Sequence, residues 1–153
     1  MSFTIRAIVI YSHTGAQRIV PFRSHGLNII TGKSKTGKSA IIDIVDYCLG
    51  RGSFNVAEGA IRKRVAWFGL HIAKGSDEVF IARNNPGPGA STGSKVYFRR
   101  GNVDVYPTLE TISKNTTESS LKEFVTRFTG IAENEHRPLT GTRRPLEANI
   151  SHA

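Results

Sequence analysis

The chain has one cysteine, Cys48, among 153 residues, so no internal disulfide can form and an apolar core must hold the fold. It has no run approaching the roughly 20 apolar residues of a membrane span, so a transmembrane helix is not expected. The opening MSFTIRAIVIYS alternates apolar and polar residues and lacks a small-residue cleavage site. It reads as a strand rather than a secretory leader, and a reducing cytoplasm is the expected compartment. Acidic residues are scarce, 12 against 21 Lys and Arg, which leaves a net charge of +9. That balance favours polyanions such as nucleotides or nucleic acid. The positive charge is spread out, with short clusters at Arg62-Lys63-Arg64, Arg99-Arg100 and Arg143-Arg144. Glutamine occurs once, at Gln17, and no apolar run ends in Asp-Glu.

What remains suits one soluble globular domain, with 39% apolar and 22% charged residues. Residues 3–11 put Phe3, Ile5, Ala7, Val9 and Tyr11 on one face, the period of a strand. Residues 18–22 read as a short strand, placed at an edge because Pro21 cannot donate to a ladder. Leu27–Ile30 is nearly continuous and apolar, the pattern of a strand buried on both faces. Ser39–Leu49 reads as a helix with a broad apolar arc and a stripe of Asp43, Asp46, Tyr47 and Gly50. Residues 51–61 read as loop, Val65–Ile72 and Glu78–Arg83 as a hairpin, and Lys95–Arg99 with Val103–Tyr106 as another. A glycine- and proline-rich loop, 84–94, lies between the two hairpins. A second helix carries Leu121, Phe124, Val125 and Phe128, with Ser120 and Glu123 in a capping-box pattern and Gly130 as its stop. Residues 132–153 form a polar, basic tail without periodicity.

Between the apolar run and the first helix lies Gly32-Lys33-Ser34-Lys35-Thr36-Gly37-Lys38-Ser39, which fits G-x-x-x-x-G-K-[ST]. Glycine lets such a loop wrap around phosphate oxygens with its N–H groups pointing inward. The following helix presents its positive N-terminal end to the same anion. In this reading Lys38 is the catalytic lysine that reaches the β- and γ-phosphates, and Ser39 is the Mg²⁺ ligand. Gly32 and Gly37 shape the loop, and Ser34 to Ser39, Thr36 included, supply backbone donors. Lys33 and Lys35 add positive charge beside the phosphates or stay in solvent.

The flanks carry a resemblance. RIVPFRSHGLNIITGKSKTGKSAIIDIVDYCLG looks like the N-terminal segment of the ABC-type P-loop ATPase heads of the SMC, RecF and RecN proteins, with Gly26, Asn28, Ile30, Gly32, Ser39, Asp43, Leu49 and Gly50 at matching places. Residues 62–83 resemble the strand pair that ends in an arginine in such heads, and LKEFVTRFTGI resembles the helix before their glutamine loop. More narrowly, the chain resembles a bacterial group of SMC-like coiled-coil ATPases, some linked to defence against mobile DNA. The resemblance implies an α/β P-loop NTPase fold: an N-terminal ABC ATPase lobe over 1–131 with an antiparallel β subdomain, and a tail over 132–153 leading toward further sequence. It implies ATP and Mg²⁺ as cofactors and DNA as the target of the complete protein. A second ATPase head, or the C-terminal half of the same protein, would be the partner.

The sequence departs from the family in having Lys35-Thr36 where small residues are commoner. It also lacks the glutamine loop, the acidic motif, the signature motif and the coiled coil. The expectation is therefore a fragment, or half of a split ATPase, that is inactive alone. The alternatives are a DNA- or protein-binding module with a non-hydrolytic nucleotide site, or a P-loop kinase or GTPase, although no N-K-x-D motif is present.

Other residues have two readings each. Arg51, Arg62 and Arg64 are candidate contacts to the γ-phosphate or DNA, or surface charge. Tyr11, His13, Arg18 and Arg23 would lie near adenine if the resemblance holds, or are ordinary turn and sheet residues. Asp43 and Asp46 read as helix-surface carboxylates, Cys48 as a packing residue, and Trp67 as core or interface. His25, His71, His136 and His152 have no metal-ligand spacing.

Overall fold

A computed structural model describes residues 2–35 and 37–130, with the backbone of two further short strands. Five strands, β1 (Thr4–Ser12), β2 (Gln17–Pro21), β3 (Val65–Lys74), β4 (Asp77–Asn84) and β5 (Val96–Arg100), form one sheet in the order β2-β1-β3-β4-β5. Every pairing in it is antiparallel. The helices are α1 (Lys38–Cys48), α2 (Ala60–Arg64) and α3 (Glu118–Thr129). The two further strands, β6 (Asn134–His136) and β7 (Leu146–Ala148), pair antiparallel with each other. The rest of the 132–153 tail, with Arg143, Arg144 and His152, lies outside the described residues.

Both faces of the sheet are covered. On one, Ile44, Tyr47 and Cys48 of α1 and Leu121, Val125 and Phe128 of α3 pack onto Ile8, Phe68, Leu70, Val79 and Ile81. On the other, Val9, Tyr11, Phe80 and Ala82 are covered by Val103, Tyr106, Leu109 and Ile112 from the segment after β5. Gly69 lies on this second face under the Phe80 ring, which a Cβ there would meet at 2.5 Å. Any side chain at 69 would displace that ring.

β1 does not keep one alternation throughout. Its register against β3 shifts between Ile5 and Ala7, which pair with Ile72 and His71. The extra residue, Arg6, is a bulge, and it exchanges the faces on either side of it. Phe3 and Ile5 therefore pack with Ile8 and Ile10 on the helix side, while Val9 and Tyr11 join the opposite core.

The expected α/β P-loop NTPase lobe is not the fold observed. Such a lobe needs a mixed, largely parallel sheet, whereas this sheet is wholly antiparallel and the described residues form three short helices. The residues expected to provide the buried strand, Leu27–Ile30, form no strand; Leu27 is 79% exposed and Ile29 73%. A strand needs a ladder partner along its edge as well as layers over its faces, and no described strand pairs with this run. Two smaller expectations also change. Val103–Tyr106 does not pair with β5; Asn115 and Thr116 take that edge through the Val96 carbonyl, and Val103 crosses the sheet face. The N-cap of α3 is Thr117, whose side chain accepts from the Ser120 N–H, while Glu123 pairs with Arg127 one turn on. Gly130, at φ 75°, ends α3 in the left-handed conformation.

Candidate functional site

The loop from Gly32 leads directly into α1. Lys35 has φ 64° and Gly37 φ 84°, so the chain turns sharply just before the helix. Gly37 is the N-cap and offers no side chain to the amides of the first turn. The Ala40 N–H bonds to the Gly37 carbonyl at 3.1 Å. The Lys38 ammonium reaches back along the loop and donates to the carbonyls of Gly32 at 2.7 Å and Lys33 at 2.6 Å. The loop is thus curled around a positive charge at a helix N-terminus, the arrangement that attracts an anion.

This loop forms the near wall of a cleft of about 750 Å³. Ser34, Lys35, Gly37, Lys38 and Ser39 line it, with Asp43 one turn further along α1. Its volume lies within the roughly 300–1,000 Å³ of small-molecule sites. The far wall is 55–61, which the sequence presents as featureless loop. The usable signal there is Phe54-Asn55-Val56-Ala57, in which Phe54 and Val56 are buried and Asn55 and Ala57 exposed.

The structure therefore brings Ser34, Lys35, Gly37, Lys38 and Ser39 into one cleft, with Gly32 and Lys33 holding the lysine. Thr36 lies outside the described residues. Arg62 and Arg64, neighbours in sequence, separate in space. Arg62 is 7% exposed, and its guanidinium donates to the carbonyls of Phe54, Val56, Gly87 and Ala90 rather than lining the cleft. Arg64 is exposed, as is Lys63. Arg51 pairs with Asp46 at 3.1 Å and lies 3.9 Å from Asp43.

Tyr11 is fully buried in the core on the opposite side of the sheet from α1, where burial holds its hydroxyl well above the usual tyrosine range. His13, Arg18, Arg23 and His25 are exposed. Cys48 is buried against the Phe68 carbonyl, and burial pushes its thiol up to about 12, so it is a packing residue and not a nucleophile. Trp67 packs at the margin of the second core. His71 is buried, with Nδ1 3.1 Å from the Tyr106 hydroxyl. Among the described residues no group of three or more His, Cys, Asp or Glu could hold a metal ion, and no helix is long and apolar enough to cross a membrane. Set against known proteins, the chain matches no family model and no curated protein.

Proposed function

We propose that the cleft binds ATP with Mg²⁺, and that the chain is the nucleotide-holding part of an SMC/RecF/RecN-like ATPase that acts on DNA. The observation that carries this reading is the Lys38 ammonium held inside the curl of its own loop, at an N-terminus of α1 that no side chain caps. The donor set fits a nucleoside triphosphate. Lys38 and the loop amides would meet the phosphate oxygens, and the Ser39 hydroxyl, which lines the cleft, would meet the metal. Mg²⁺, when bound, neutralises phosphate charge. This chain's share of the chemistry is to hold and orient the phosphates in a fixed field. Hydrolysis draws on a second head or further sequence for the water-positioning glutamine and the acidic residues. DNA contact is assigned to exposed Lys63 and Arg64, at the end of the helix that opens in the far wall, and not to Arg62.

Lys38→Ala tests the reading. Calorimetry with Mg·ATP should show binding by the wild-type chain and none measurable by the variant, while circular dichroism shows that the half-buried Lys38 is not needed for the fold. Equal affinity for the two proteins would sink the nucleotide assignment.

A further inference from the structure

The two walls of the cleft differ in chemistry. The near wall carries Lys35, Lys38 and the helix N-terminus, all suited to phosphate, with one carboxylate, Asp43, a turn along α1 and 3.9 Å from Arg51. The far wall has no lysine or arginine among its lining residues. Val56, Ala57, Ala60 and Ile61 are apolar, and the polar side chains are Asn55 and Glu58. A polyanion gains little from such a surface, where the Glu58 carboxylate is already engaged by the Gly89 N–H and lies 3.5 Å from Arg62 Nε. A neutral, partly apolar group that offers hydroxyl and amine donors suits it, which describes the sugar and base of a nucleotide.

Asn55 is exposed, and its side-chain amide has no hydrogen-bond partner among the described residues. Asn55 lines the cleft, while its neighbour Phe54, at 2% exposure, is buried in the core and is not part of the lining.

The far wall is held from behind by Arg62. Nε donates to the Val56 carbonyl at 2.7 Å and Nη2 to the Phe54 carbonyl at 2.8 Å. Nη1 donates to Gly87 at 3.1 Å and Ala90 at 2.5 Å in the glycine-rich loop. The guanidinium also lies 4.9 Å from the centre of the Phe54 ring. The same two segments are tied again by the Phe54 N–H to the Ser91 carbonyl and by the Gly89 N–H to the Glu58 carboxylate. A planar fork of fixed donors can organise several carbonyls at once, which an ammonium cannot do in the same geometry.

We infer that the far wall is the nucleoside-binding half of the cleft, that Asn55 contacts the sugar or base, and that Arg62 is a positioning residue that fixes this wall without touching the ligand. The inference rests on the nucleotide reading above. It goes further by dividing the ligand between the walls.

Two probes, Mg·ATP and Mg·tripolyphosphate, separate the walls by calorimetry on the whole chain. Asn55→Ala, an exposed substitution that leaves the core intact, should weaken Mg·ATP about fivefold to tenfold, the loss of one hydrogen bond, and leave tripolyphosphate within about twofold. Arg62→Lys should do the same, and hydrogen exchange should quicken over 54–60 and 85–91 while the β3 and β4 amides stay unchanged. Lys38→Ala should lose both probes. Wild-type affinity for Mg·ATP in both Asn55→Ala and Arg62→Lys, or an equal loss of both probes, overturns the division while the nucleotide reading stands. Unchanged exchange in Arg62→Lys overturns the positioning role. A wild-type chain that binds neither probe overturns the nucleotide reading, and this inference with it.

Discussion

The near wall of the cleft bends around the Lys38 ammonium, whereas the far wall is fastened to the body of the protein by Arg62 and Asn85. Asn85 donates to the carbonyls of Arg62 at 3.0 Å and Val65 at 2.7 Å, and accepts from the Gly87 N–H at 3.1 Å. In the run just before the near wall in sequence, Leu27 and Ile29 lie exposed. In the nucleotide reading proposed above, the contrast has a physical cause. A loop that is to receive phosphate must keep N–H groups available, so it cannot satisfy them internally. A wall that shapes a neutral group can have its carbonyls paired in advance, which lowers the ordering cost on binding.

The comparison can be broken most forcefully at Arg83, which anchors the far end of α1 as Arg62 anchors the far wall. Arg83 is fully buried and lies 3.9 Å over the Tyr47 ring. It donates to the carbonyls of Tyr47 and Arg51 at 2.8 and 2.6 Å and reaches Glu118 at 3.2 Å. Arg83→Met leaves the Tyr47 carbonyl, the Arg51 carbonyl and the half-buried Glu118 carboxylate without their donor. It should cost about 3–5 kcal/mol in urea denaturation. A cost below about 1 kcal/mol would show that this residue does not fasten the C-terminal end of α1.

A smaller effect separates the sheet from the loop by pH. Burial holds His71 below its ordinary pKa of 6.5, and this outweighs the Glu78 carboxylate, which acts in the opposite direction; Arg6 and Arg99 add to the lowering. The unfolded chain therefore takes up the proton more readily than the folded one. The stability this gives is fully present above about pH 6.5 and falls as pH drops from there toward the lowered native value. Urea midpoints between pH 7.5 and 5 should decline, and His71→Gln should flatten that decline. An identical slope in the variant would place the pH sensitivity elsewhere.

The smallest effect is expected in the run that leads into the near wall. Ile29→Ser should change stability by less than about 0.5 kcal/mol, because the side chain is 73% exposed. A loss above about 1.5 kcal/mol in the same denaturation series would mean that the segment is packed in the folded chain, and the contrast between the walls would weaken.

Local signals were legible wherever a few adjacent residues decide the outcome. The Lys74 to Asp77 turn and its two strands follow from the apolar runs flanking Gly75. The first helix occupies Lys38–Cys48 because its apolar arc and the preceding glycine both act within one turn. Pro21 stands on an edge strand because the missing donor leaves few other places. Leu27–Ile30 read wrongly for a related reason: an apolar run marks chain suited to burial but does not supply the neighbouring strands that would bury it. The bulge at Arg6 was equally invisible, since it is defined by the residues of β3 opposite it. At the site, the turn into α1 was legible from its glycines. Asn55, Glu58 and the inward turn of Arg62 were not, because Arg62 is held by carbonyls up to 28 residues away.

The sequence by itself determined where α1 begins, where the chain can curl around Lys38, and which segments alternate as strands, because glycine conformation and side-chain period act over a few residues. Tertiary structure decided that the sheet is antiparallel, that 27–30 stays exposed, and that 55–61 faces the Lys38 loop across a cleft. Those outcomes depend on which distant backbone groups meet and satisfy one another, and no local pattern records such pairings.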